Sequence, residues 1–150
     1  EAFFQENALP FQVQTVGEFT VYRGERLTLW CGDFFRLPAE PWGGVTAIYD
    51  RAALIALPPS VRRQYAENIV TQWDRSTVSS AEVLLITVEY PAALMQGPPF
   101  SVTEAEIAEL YGREFRVEKL ASELDPSLAS RNSQVDASQV RESVYRLKSN

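Results

Sequence analysis

The sequence has no histidine, and its 150 residues include a single cysteine, Cys31. Without an imidazole, these residues cannot supply Ser-His-Asp or Cys-His catalysis, or a histidine-based zinc or iron site. One cysteine excludes an internal disulfide, a CxxC redox pair and a thiolate cluster, and its place in an apolar strand indicates a small core residue. The sequence therefore favours chemistry that needs no imidazole, no thiolate and no metal.

Basic runs and long apolar segments are also missing. The net charge is −6, and every apolar stretch is shorter than the roughly 20 residues that cross a membrane. We therefore expect no nucleic-acid partner and no membrane association. No signal peptide or low-complexity tract is visible, so a cytoplasmic location is the expectation. A monomer is expected as well. With 45% hydrophobic and 23% charged residues, the chain has the composition of one globular domain.

Hydrophobic periodicity predicts strands and helices in alternation. Alternating apolar residues predict a hairpin within residues 17–35, and Val61, Tyr65, Ile69 and Trp73 recur every four residues, as in an amphipathic helix. The other predicted elements are a helix end at 1–9, strands at 45–50 and 81–90, a capped helix at 103–112, and an antiparallel strand pair at 115–124 and 142–149. This order predicts an α/β fold with a mostly parallel sheet.

Three predicted strands end on an acid, namely Asp33, Asp50 and Glu89. One interpretation is that each acid caps the helix that follows. The other is that they border a ligand crevice, because open α/β sheets bind ligands beyond the carboxyl ends of their strands. Arg51 and the pair Phe34-Phe35 fall at the same predicted edge, where a carboxylate and an aromatic ring suit an adenine.

Other polar residues have simpler interpretations. Arg51 has an alternative role as the ion-pair partner of a neighbouring acid. Phe100 belongs to "GPPF", which is either a stiff turn or a wall that presents its ring to a ligand. The charged residues of the two main helices are expected on solvated faces, and they are Arg62, Arg63, Glu104, Glu106 and Glu109.

Five segments, in order, resemble the thiopurine S-methyltransferase family, particularly its bacterial members. They are "LWCGDFFRLP", "YDRAALIALPPSVRRQYA", "LLITVEYP", "GPPFSVTEAEI" and "ESVYRLK". The resemblance implies a Rossmann-like methyltransferase fold that uses S-adenosyl-L-methionine, with an antiparallel last strand. It also implies methyl transfer to aromatic or heterocyclic thiols such as thiopurines, and a related activity on selenium or tellurium compounds. Aromatic thiols ionise near neutral pH, so a chain without histidine is consistent with such substrates.

The resemblance also carries roles to particular residues. Asp33 and Phe34 match the positions that contact the adenine of the cofactor. Arg51 matches an arginine between cofactor and substrate, so the resemblance implies that it contacts both and is the catalytic residue. Arg131 falls where the family has a second substrate-binding arginine, before the last strand. Phe100 is the expected acceptor-facing ring of the "GPPF" segment.

The glycine-rich turn and the ribose-binding acid of the family have no counterpart in residues 1–150. We therefore expect residues 1–150 to be one methyltransferase domain that lacks its N-terminal strands, within a protein of roughly 200 residues. The alternative to an active enzyme is a methyltransferase-like binding module without catalysis.

Overall fold

The structure is a computed structural model that describes residues 1–74, 82–91, 95–125, 127 and 136–149. It divides into two compact units, Glu1–Pro38 and Ala39–Asn150. No helix among the described residues has the length and apolar character needed to cross a bilayer.

The first unit is a small antiparallel sheet preceded by a short helix. Helix α1 spans Ala2–Glu6, and strands β1 (Phe11–Val16), β2 (Phe19–Gly24) and β3 (Thr28–Cys31) lie in the order β1-β2-β3. The β2-β3 hairpin confirms the predicted one. Strand β1 is absent from the predicted elements, although its Phe-Gln-Val-Gln alternation is a strand pattern.

Two expectations for this unit are wrong. Cys31 is exposed rather than a core residue, because it ends a strand of a small sheet whose terminal positions face solvent. The strand before Asp33 is not part of the parallel sheet, because β3 pairs only with β2 among the described residues.

The second unit is an α/β structure on a mixed four-stranded sheet. Its strands are β4 (Ala47–Asp50), β5 (Glu82–Glu89), β6 (Phe115–Leu124) and β7 (Arg141–Ser149), in the order β4-β5-β7-β6. Strand β4 is parallel to β5, and β7 is antiparallel to both β5 and β6. Three strands therefore share one direction and the last strand opposes them, although only one of the described pairings is parallel.

Among the described residues, three α-helices accompany this sheet: α2 (Ala53–Ala56), α3 (Pro59–Asp74) and α4 (Glu104–Tyr111). The apolar face of α3 is buried as predicted, and Trp73 packs edge-on against Phe115 of β6 at 5.5 Å between ring centroids. The Thr103 hydroxyl caps α4 by accepting from the Glu106 amide at 3.2 Å. On β7, alternate residues are buried, so one sheet face forms the core.

Candidate functional site

A cavity of about 380 Å³ lies at one edge of the four-stranded sheet. Arg51 follows β4, Val88 is near the end of β5 and Asp125 follows β6. Because β7 runs the opposite way, its second residue, Glu142, lies at the same edge. The remaining lining residues are Ala52, Ile55, Pro99 and Ser127. The cavity is thus at the carboxyl ends of the strands that share a direction, where α/β sheets bind ligands.

Asp50, beside Arg51, is a structural acid. It is 4% exposed, and its Oδ1 accepts from the backbone amides of Ala53 at 3.0 Å and Leu54 at 3.3 Å. Its Oδ2 accepts from the Tyr65 hydroxyl at 2.9 Å. Burial raises the pKa of Tyr65, and the neighbouring carboxylate raises it further. For Asp50 the capping interpretation is therefore correct, because both of its carboxylate oxygens are bonded within the protein.

Arg51 is exposed and forms no ion pair with any residue that the structure describes. Asp125 and Glu142 border the same cavity. The guanidinium is therefore the positive group among the described lining residues, and its donors suit a planar anion or an ordered water. Arg131, the second arginine predicted for this site, lies outside the described residues.

The Gly97–Phe100 loop presents Pro99, rather than Phe100, to the Arg51 cavity. Phe100 instead lines a neighbouring cavity of about 330 Å³, together with Arg62 and Tyr90. The Phe100 amide donates to the Ile55 carbonyl at 2.6 Å, which fixes this arrangement. Phe100, the residue of "GPPF" predicted to face the acceptor, therefore lines a different cavity from Arg51, and Pro99 beside it was not among the predicted residues.

Asp33 and Phe34 lie in the first unit, separated from the end of β3 by a single residue. The Asp33 Oδ1 accepts from the Phe35 amide at 3.0 Å, so this acid also caps the short 3-10 helix that follows. The described residues give its exposed carboxylate no other hydrogen bond. The rings of Phe34 and Phe35 meet edge-on at 6.0 Å. An exposed carboxylate beside aromatic rings fits an adenine amino group and base.

The comparisons with known proteins agree over the whole chain. The model of the family described as Thiopurine S-methyltransferase matches residues 1–150. The chain belongs to the thiopurine S-methyltransferase family. The resemblance drawn from the five sequence segments is therefore confirmed, and family membership implies a methyltransferase fold of the kind that uses S-adenosylmethionine.

Several curated members of the thiopurine S-methyltransferase family are similar in sequence. The thiopurine S-methyltransferase of Pseudomonas fluorescens strain Pf0-1 is 41% identical over 148 residues, which cover 99% of this chain and 66% of that protein. The enzyme of strain SBW25 is 42% identical over 147 residues, and that of Shewanella loihica is 41% identical over 150 residues. Residues 1–150 thus span 66% of the length of each of these relatives.

Proposed function

We propose that the protein containing this chain is an S-adenosylmethionine-dependent S-methyltransferase that acts on aromatic and heterocyclic thiols, including thiopurines. The observation that carries the proposal is the family match over all 150 residues, with curated thiopurine S-methyltransferases about 41% identical. The cavity beside Arg51 supports it, because it lies beyond the carboxyl ends of strands that share a direction, where α/β sheets bind ligands.

In this proposal Arg51 holds the acceptor. An aromatic thiol is largely ionised near neutral pH, so the acceptor is already a nucleophile and needs no general base. The guanidinium steadies the thiolate directly or through water, while Pro99 forms an apolar wall against the ring. Arg131 is proposed as a second substrate contact. Phe100 is proposed to shape the acceptor site through the loop rather than by touching the acceptor, since its ring lines the adjacent cavity.

Asp33 and Phe34 are the proposed adenine contacts of the cofactor. The carboxylate accepts from the adenine amino group and the ring packs on the base, which orients the cofactor without consuming a proton. S-adenosylmethionine, when bound, supplies an electrophilic methyl group on a positively charged sulfur that leaves as a neutral thioether. The residues of this chain therefore only bind, orient and exclude water.

Residues 1–150 are proposed to be the larger part of one methyltransferase domain, with further strands added at the outer edge of β4. That edge has no partner among the described residues, and Tyr49 on β4 is 64% exposed. Selenium and tellurium compounds are proposed as additional acceptors, because a selenolate is also an anionic, polarisable nucleophile. A cytoplasmic monomer remains the prediction for the protein as a whole.

The test is calorimetric titration of S-adenosylhomocysteine into the full-length protein, with a methyl-transfer assay on an aromatic thiol. Asp33→Ala removes both a cap and the proposed adenine contact. Asp136→Ala is the matched control, because Asp136 caps another short 3-10 helix by accepting from the Ser138 amide at 2.9 Å. We expect at least tenfold weaker binding for Asp33→Ala only, the order of a hydrogen bond to a charged group.

Three outcomes separate the possibilities. Binding with turnover supports the enzyme. Binding without turnover, against a range of aromatic thiols and selenolates, favours the inactive binding module. No binding by the folded full-length protein contradicts the methyltransferase proposal.

A further inference from the structure

A buried tyrosine, Tyr90, forms hydrogen bonds with the Gly97–Phe100 loop, which supplies the Pro99 wall, and with the residue that follows it. The Tyr90 hydroxyl donates to the Pro99 carbonyl at 2.5 Å, and the Tyr90 amide donates to the Ser101 hydroxyl at 3.0 Å. Tyr90 is buried and packs in a small cluster with Val88 of β5. The Tyr90 hydroxyl therefore ties Pro99 itself to the end of β5, and hydrogen bonds of the neighbouring Phe100 amide and Ser101 hydroxyl also hold the loop.

A buried arginine, Arg62, contacts the ring of Phe100, the last residue of the same loop. Arg62, on α3, is 1% exposed, and its guanidinium carbon lies 5.9 Å from the centroid of the Phe100 ring. Its Nη1 donates to both carboxylate oxygens of Glu106 at 2.7 and 2.8 Å, and its Nε donates to the Leu57 carbonyl at 3.0 Å. Arg62 thus joins α3, α4 and the Phe100 ring at one point.

We propose that Tyr90 and Arg62 are positioning residues that hold Pro99 against the Arg51 cavity and so set the affinity for the acceptor. Neither residue lines that cavity, so both act through the loop. A wall displaced by about 1 Å costs as much as 10²-fold in rate, because the reacting atoms leave their attack geometry. The proposal rests on the proposed function of the cavity, but the stability of the loop can be measured by hydrogen exchange without any methyl transfer.

The first test is Tyr90→Phe in the full-length protein, which removes only the hydroxyl that holds Pro99. Tyr145→Phe is the matched control, since Tyr145 is a buried tyrosine of β7 whose hydroxyl makes no hydrogen bond to the loop. For Tyr90→Phe we expect KM for the thiol to rise about tenfold, the order expected for one lost hydrogen bond and a displaced wall. Binding of S-adenosylhomocysteine should stay within twofold, and Tyr145→Phe should leave KM unchanged.

Arg62 is tested by comparing Arg62→Met with Arg62→Lys. Lysine keeps the charge beside Glu106 and over the Phe100 ring, whereas methionine removes it. We expect Arg62→Met to raise KM for the thiol and Arg62→Lys to restore part of the loss. A purely structural residue would instead lower stability in both variants without separating KM from kcat.

Hydrogen exchange of the Phe100 amide distinguishes failure of this inference from failure of the proposed function. This amide donates to the Ile55 carbonyl and reports the closed loop. In Tyr90→Phe we expect about tenfold faster exchange at Phe100 than in Tyr145→Phe, whether or not the protein methylates thiols. Equal exchange in the two variants, or equal KM in an active enzyme, overturns the positioning role.

Discussion

Two ion pairs join the same two helices, α3 and α4, and differ mainly in burial. Arg62 pairs with Glu106 with side chains that are 1% and 27% exposed. Arg63, the next residue, pairs with Glu109 with side chains that are 63% and 66% exposed. The chain therefore contains its own control for the effect of burial on an ion pair.

Replacing the acid of each pair by glutamine should give very different losses of stability. Breaking a fully buried pair costs about 3–5 kcal/mol, because one charge is left without a partner. Glu106 is partly solvated, so we expect about 2–3 kcal/mol for Glu106→Gln. For Glu109→Gln we expect about 0–1 kcal/mol, as for other surface pairs. At roughly 2–4 °C per kcal/mol, the difference in Tm is about 5 °C.

The assay is urea unfolding of two double-mutant cycles, one with Arg62→Met and Glu106→Gln, the other with Arg63→Met and Glu109→Gln. We expect a coupling energy of about 2 kcal/mol for the first cycle and less than about 0.5 kcal/mol for the second. High salt should weaken only the second, since screening acts on exposed charges. Equal coupling energies in the two cycles would refute the reasoning.

Three further changes test other parts of the structure. Tyr65→Phe should cost about 1.5–3 kcal/mol at pH 7, because Asp50 loses a buried donor. Since the pKa of Tyr65 is higher in the folded than in the unfolded state, the wild type should lose stability as the pH rises above about 10. Tyr65→Phe lacks this group, so its free energy of unfolding, measured with urea, should fall less steeply with pH, by about 1.4 kcal/mol per pH unit. Gly97→Ala should lower Tm by calorimetry and loosen the loop, because φ is +71° and the new Cβ would lie 2.5 Å from the Phe100 ring. Thr103→Ala should cost about 1 kcal/mol in the same unfolding assay and Thr103→Ser should recover most of it; no loss would exclude the cap.

The elements with strong periodicity were predictable from the sequence. Helix α3 follows from the four-residue spacing of its apolar residues, and α4 follows from the cap at Thr103 and the stop at Gly112. The antiparallel pairing of β6 with β7 also agrees with the prediction. These features are local, so a single stretch of sequence contains the information.

Features that depend on distant partners were not predictable in the same way. Arg62 and Arg63 are adjacent and look equally suited to a solvated face, yet Arg62 is buried because Glu106, 44 residues away, meets it. The expectation of solvated faces is therefore wrong for Arg62. Similarly, no local pattern shows that β3 belongs to a separate sheet, because sheet membership depends on pairing between distant strands.

The sequence predicted a ligand crevice beside Arg51, and the structure has a cavity there, but the separate roles of the residues around it were not predictable. Asp50 and Arg51 are adjacent, and only the contacts of Asp50 with Tyr65 and the α2 amides show that the acid is structural. Pro99 lines the cavity and its carbonyl accepts from the Tyr90 hydroxyl, which is a contact that composition cannot indicate.

The central claim is that Arg51 holds an anionic sulfur acceptor, and Arg51→Lys tests it most directly. Lysine keeps the positive charge but loses the planar set of donors. Steady-state methyl transfer to an aromatic thiol by the full-length protein should fall about 10- to 100-fold in kcat/KM, with binding of S-adenosylhomocysteine within threefold. Arg63→Lys, at an exposed arginine of α3, should be unchanged. Equal activity of Arg51→Lys and the wild type would contradict the account.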